Sequence, residues 1–153
     1  KGTVINNSAK YSDGVEFVLS KYNSTGESIG QNNRHMAMMM ALSCTHPDIY
    51  EILNIFIKNE KLSAMNISIK FTDNFMQSVI DDKEVELYFK VESTGEEIRK
   101  TINAKEFFDK FCEVNKDFGQ PGLIFIDRVQ QNNLLSGYSE YQIEVSNPLS
   151  HVA

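Results

Sequence analysis

The apolar run Gly122-Leu123-Ile124-Phe125-Ile126, preceded by Pro121 and closed by Asp127 and Arg128, predicts a strand buried on both faces. The rest of the pattern is laid out around it. Ser12-Asp13-Gly14 offers side-chain oxygens for a helix start, and Val15 to about Ser24 carries Phe17, Val18, Lys21 and Tyr22 in amphipathic order. Thr25 to Asn33, with two glycines and two asparagines, predicts an exposed, shaped loop rather than an element. Met36 to Leu42 is apolar throughout and short, which suits a buried strand; its methionines read first as core filler, since thioethers pack irregular gaps.

His46-Pro47-Asp48 opens a helix whose apolar face is Ile49, Ile52, Leu53, Ile55, Phe56 and Ile57, ending near Asn59. Asn66 to Phe71 alternates, placing Ile67, Ile69 and Phe71 on one side of a strand. Thr72-Asp73 caps a short helix through Phe75, Met76 and Val79, and Asp81-Asp82-Lys83-Glu84 is a charged, solvated turn. Val85–Val91 and Ile98–Ile102 flank Ser93-Thr94-Gly95-Glu96 as a hairpin of two antiparallel strands. Asn103 with Glu106 forms a capping box before Phe107, Phe108, Phe111, Cys112 and Val114, and Gly119-Gln120-Pro121-Gly122 ends that helix. The alternation gives an α/β fold class: parallel strands with crossover helices plus a β-hairpin insertion, in a single domain over residues 1–153.

Composition narrows the picture without supplying a function. An apolar fraction of 41% and a charged fraction of 24% are ordinary for a soluble globular chain, and no apolar run reaches the ~20 residues of a membrane helix. The net charge of −6 falls mainly on residues 59–153, with sixteen acids against ten bases, which disfavours nucleic-acid binding. A nucleotide ligand stays open, because a few backbone donors and one arginine can hold a phosphate or a base. Cys44 and Cys112 form no disulfide framework and His35, His46 and His151 no metal spacing, so a reducing cytoplasm is expected and no metal. The chain opens on Lys1 without a leader pattern, which fits a piece of something longer.

Several strings in order carry a further step. They are Gln31-Asn32-Asn33-Arg34-His35-Met36-Ala37-Met38-Met39, His46-Pro47-Asp48-Ile49, Asn66-Ile67-Ser68-Ile69 with Thr72-Asp73-Asn74-Phe75-Met76, Thr94-Gly95-Glu96 with Ala104-Lys105-Glu106, and Pro121-Gly122-Leu123-Ile124-Phe125-Ile126-Asp127-Arg128. Together, over roughly residues 11–148, they resemble the large, catalytic subunit of ribonucleotide reductases, most closely the adenosylcobalamin-dependent class. The resemblance implies a partial segment of a ten-stranded α/β barrel, with Phe125 buried and near Met39. It implies reduction of ribonucleoside diphosphates or triphosphates to deoxyribonucleotides for DNA replication, under allosteric control by nucleoside triphosphates. Expected partners are the remainder of a reductase chain or further copies of this one, since part of a barrel leaves edge strands uncovered. The Val15–Ser24 helix matches a region near the family's subunit interface.

The same resemblance assigns residues. The loop Gly30, Gln31, Asn32, Asn33 and Arg34 matches the one that passes on which nucleotide is bound, and arginine's fixed fork of donors suits that role. The family's two glycines are here Asn32 and Asn33, its second arginine His35 and its following glycine Met36, so the loop is less free to adopt strained angles. The radical loop, N-x-C-x-E in the family, falls on Asn147, Leu149 and His151. Asn147 keeps the substrate-holding amide. Leu149 has no S–H bond to exchange and cannot become a radical carrier, and His151, although able to move protons near neutral pH, reads first as a bland residue. The family's redox cysteine pair is unmatched. The chain alone is therefore expected to be inactive, with adenosylcobalamin belonging to the parent family; the alternative is a non-catalytic nucleotide-binding or assembly module that regulates a reductase.

Overall fold

The computed structural model describes residues 14–31, 34–35, 38–58, 62, 64–92 and 94–143. Its organising strand is the alternating Met65–Phe71, not the apolar run that follows Pro121. In order, the elements are α1 (Gly14–Ser28), β1 (Gly30–Gln31), β2 (Arg34–His35), β3 (Met38–Ser43), α2 (Ile49–Ile57), β4 (Met65–Phe71), α3 (Asp73–Ile80), β5 (Glu84–Lys90), β6 (Glu97–Asn103), α4 (Ala104–Phe118), β7 (Gly122–Phe125) and α5 (Ile126–Gln131), with a 3-10 turn at Ser139–Tyr141.

The strands β3, β4 and β7 form a parallel sheet in that spatial order, with Met38 opposite Met65 at one end and Phe71 opposite Phe125 at the other. Crossover helices return the chain, α2 between β3 and β4 and α4 before β7. Ile67, Ile69 and Phe71 are each at most 1% exposed, packed with Ile49, Ile52 and Leu53 of α2 and Phe107 and Phe111 of α4. Four further rings surround Phe71: Phe75 at 5.4 Å, Phe107 at 6.4 Å, Phe108 at 5.6 Å and Phe111 at 5.3 Å between centroids. Between β4 and α4, β5 and β6 pair antiparallel from Glu84 opposite Asn103 to Lys90 opposite Glu97.

Local chemistry sets the helix ends. Thr72 Oγ1 accepts from the Phe75 N–H at 3.2 Å, and Asn103 Oδ1 from the Glu106 N–H at 2.9 Å, each satisfying a donor that a first turn leaves orphaned. Gly119 ends α4 in the left-handed region at φ 68°, where glycine carries no Cβ penalty.

Three expectations need correction. Thr25 to Ser28 are the last turn of α1, not loop, and Gly30 to His35 contribute two short paired strands, with Gly30 opposite His35 and Gln31 opposite Arg34. Gly26 serves close packing rather than freedom: a Cβ there would stand 2.7 Å from Met38 Cε and 3.0 Å from Ala64 Cβ. Asn23, on the same buried face, accepts from the Ala64 N–H at 3.0 Å. Gly26→Val is therefore expected to lower the unfolding midpoint in urea, by about 1–3 kcal/mol of stability, through overpacking against Met38 and Ala64.

The second and third corrections concern β7. It ends at Phe125, Ile126 begins α5, and the strand is only partly buried, with Phe125 41% exposed. Among the described residues β7 pairs with β4 alone, so its apolar sequence does not translate into cover on both faces. Phe125 is not near Met39: Met39 lies opposite Asn66 and Phe125 opposite Phe71, at opposite ends of β4 and on opposite sides of it.

Candidate functional site at the strand ends and the β1–β2 hairpin

In parallel sheets, ligands gather beyond the carboxyl ends of the strands, where loops diverge and helices begin. Here β3 runs into Cys44-Thr45-His46, β4 into Thr72-Asp73 and β7 into Asp127-Arg128. The Cys44 N–H donates to the Lys70 carbonyl at 2.9 Å, and Ser43 and Thr45 share a hydroxyl hydrogen bond at 2.9 Å. Cys44 is fully buried, and burial pushes its thiol up, against the opposing pull of hydrogen bonds with Thr72. It is a packed thiol, not a thiolate nucleophile.

Asp127 and Arg128 lock β7 to α3. The Asp127 carboxylate accepts from the Asp73 N–H at 2.7 Å, occupying the donor-rich first turn of α3, and Arg128 Nε lies 3.2 Å from Asp73 Oδ1. The Asp-Arg pair that closes the sequence's most family-like string thus acts, in this geometry, as a brace between two strand ends.

A third cluster sits where the β5–β6 hairpin meets the end of β3, tied there by the Tyr88 N–H donating to the Thr45 carbonyl at 2.9 Å. His46, 6% exposed, leans on Phe89 with ring centroids 5.1 Å apart. Its Nδ1 accepts from the Asp48 N–H at 3.1 Å, which puts the proton of the neutral ring on Nε2, an enclosed atom with no hydrogen-bond partner. Burial, helped by the Lys100 charge, drops the imidazole to about 4. Lys100 Nζ donates to the Pro47 carbonyl at 3.1 Å and stands 3.7 Å from Asp48 Oδ1, whose side chain is 1% exposed. This buried neutral histidine was invisible in the sequence; His46-Pro47-Asp48 signalled a helix start and no more.

Of the residues that the sequence singled out, Gly30, Gln31 and Arg34 are brought together by the β1–β2 pairing, next to the amino-terminal end of β3 and away from the strand ends just described. Asn32 and Asn33, and likewise Asn147, Leu149 and His151, lie outside the described residues. Among the described residues no group of three or more His, Cys, Asp or Glu could hold a metal ion, and no helix is long and apolar enough to cross a membrane.

Comparison with known proteins places this architecture. A family model described as the ribonucleotide reductase barrel domain matches residues 1–150. The vitamin B12-dependent ribonucleoside-diphosphate reductase of Thermoplasma acidophilum is 31% identical over 150 residues, covering 97% of this chain and 19% of that protein. The enzyme of the same name from Mycobacterium tuberculosis is 29% identical over 136 residues, covering 88% of this chain and 19% of that protein. The chain spans about a fifth of the length of these curated relatives. A mixed α/β chain with a parallel sheet, matched by the barrel-domain model along nearly all its length, belongs to the ribonucleotide reductase family, with relatives of the vitamin B12-dependent kind.

Proposed function

We propose that residues 1–153 supply sheet strands and the nucleotide-reading hairpin of a ribonucleotide reductase barrel, and do not themselves carry the radical step. The observation behind this reading is the pairing of a barrel-domain match over residues 1–150 with leucine at position 149. Gly30 and Gln31 present backbone donors, and Arg34 a guanidinium, to a nucleoside triphosphate effector, and Asn147 holds the ribose of the substrate. The larger assembly, ten strands closed into a barrel, covers the exposed side of β7, where Phe125 stands 41% exposed. Its setting is the cytoplasm and its overall task deoxyribonucleotide synthesis.

Adenosylcobalamin is the radical generator of that class, and the described residues offer its cobalt no histidine ligand. The one histidine whose ring is described, His46, has its Nε2 enclosed and its Nδ1 engaged, so cobalt cannot reach it.

The second reading, a non-catalytic module that binds nucleotide and regulates a reductase, is favoured by Leu149 and His151 standing together where cysteine and glutamate are needed. Both readings require effector binding. Titration calorimetry with deoxynucleoside triphosphates is expected to detect uptake by the parent and about a tenfold weaker affinity after Arg34→Ala, since a charged hydrogen-bond donor is lost. No heat with any of the four triphosphates would remove the nucleotide-reading role.

A further inference from the structure

The β1–β2 hairpin is carried on two supports, α1 before it and β3 after it, and both are tied to one residue of the main sheet. Ala64, buried just ahead of β4, donates its N–H to Asn23 Oδ1 of α1 at 3.0 Å, and its carbonyl accepts from the Met38 N–H at the start of β3 at 3.0 Å. Gly26, one turn beyond Asn23, lies against the same place, with Ala64 and Met38 at the position its Cβ would take. Residues 29–37, which include the hairpin, span the gap between the two supports. Where the hairpin stands is therefore set by how α1 and β3 are seated on Ala64.

The two seats differ in kind. The Met38 bond is backbone to backbone at the head of the β3–β4 ladder and needs no particular side chain. The seat of α1 depends on Asn23, which is 5% exposed. Elsewhere α1 meets the body through Val15 and Leu19, apolar contacts that are non-directional and fix no single position along the helix axis. An exposed ion pair, Glu16 with Lys58 at 2.9 Å, adds little. The Asn23 amide is also oriented: its Nδ2 donates to Glu27 Oε1 at 3.0 Å, one turn along the helix, which leaves Oδ1 for the Ala64 N–H. A buried N–H is costly to leave without an acceptor, so this bond holds α1 at one register.

We propose that Asn23 is a positioning residue for nucleotide reading: it seats α1 on Ala64 so that the hairpin presents Gly30, Gln31 and Arg34 in the one placement that a nucleoside triphosphate effector recognises. It acts through α1 rather than by contact with the nucleotide. The inference rests on the role of the hairpin proposed above. Without the tether α1 shifts on its apolar face, the hairpin populates other placements, and the apparent affinity falls by the fraction that stays competent.

The test uses the intact 153-residue chain with the four deoxynucleoside triphosphates as probes, followed by calorimetry well below the melting temperature, with a melting curve for every variant. Asn23→Ala is expected to weaken affinity about tenfold, the worth of one buried hydrogen bond. Val15→Ala removes apolar contact from the same helix; it should melt lower than the parent, as Asn23→Ala does, yet bind within about twofold of the parent. Glu27→Ala, at an exposed position, releases the orientation of the amide and should weaken binding about threefold; it carries the test should Asn23→Ala fail to fold. Parent-like affinity in Asn23→Ala and Glu27→Ala, or an equal loss in Val15→Ala, overturns the role of Asn23 and leaves the hairpin as the reader. A parent that takes up none of the four triphosphates overturns the reading role, and this inference with it.

Discussion

Phe71→Ala is expected to destabilise the fold by about 3–5 kcal/mol, the cost of a large cavity where a phenylalanine is removed from a filled core. Phe71 is 0% exposed, and the rings of Phe75, Phe107, Phe108 and Phe111 all approach it within 6.4 Å. These rings come from α3 and α4, so the vacancy cannot close without moving both helices against the sheet. Phe125→Ala is the matched control: its backbone is the register partner of Phe71, yet its side chain is 41% exposed, and the expected loss is under about 1 kcal/mol. Urea unfolding of the two variants checks the pair. Equal losses would mean that β7 is packed as deeply as β4.

Acid should weaken the protein through His46. The ring is neutral in the fold and sits at about 4, against 6.5 for the exposed side chain. The unfolded chain therefore takes up this proton as pH falls through 6.5, whereas the folded chain resists until about 4. Stability from this group is complete above pH 6.5, declines across that window and is gone below it. At about 1.4 kcal/mol per pH unit the full loss is about 3 kcal/mol. Burial of the ring sets the sign, Lys100 adds to it by opposing protonation, and the Asp48 N–H donor on Nδ1 must be given up for a second ring proton to bind. His46→Phe retains the contact with Phe89 and removes the titration, so its stability measured between pH 7 and pH 4 should lack this component. An unchanged acid slope in that variant would place the sensitivity elsewhere.

The sequence carried the local rules well and the tertiary ones poorly. Thr72 and Asn103 cap the helices they were expected to cap, because a side-chain oxygen three residues before an orphan N–H needs nothing from the rest of the chain. The alternation of Ile67, Ile69 and Phe71 correctly gave one core-facing side of β4. Gly26 misled, because glycine beside threonine reads as a turn, and only Met38 and Ala64, distant in sequence, reveal it as a contact point inside a helix. The Gly122–Ile126 run misled for a related reason: an apolar string records that a strand is buried somewhere, not how many strands or helices flank it.

For the candidate site, motif strings identified the family but not the geometry. Asp127 and Arg128 were legible as a pattern and illegible as a brace on α3, since their partner Asp73 is more than fifty positions away. The burial of His46 and the bond between Asn23 and Ala64 left no trace in the sequence, because each depends on what folds against it.

Turnover is the sharpest probe of the idea that this stretch keeps reductase architecture without its reactive sulfur. Incubating the 153-residue chain with ribonucleoside di- and triphosphates, adenosylcobalamin and a dithiol reductant should yield no deoxyribonucleotide, because Leu149 offers no hydrogen-abstracting thiyl group. Product formation above the protein-free background would contradict it.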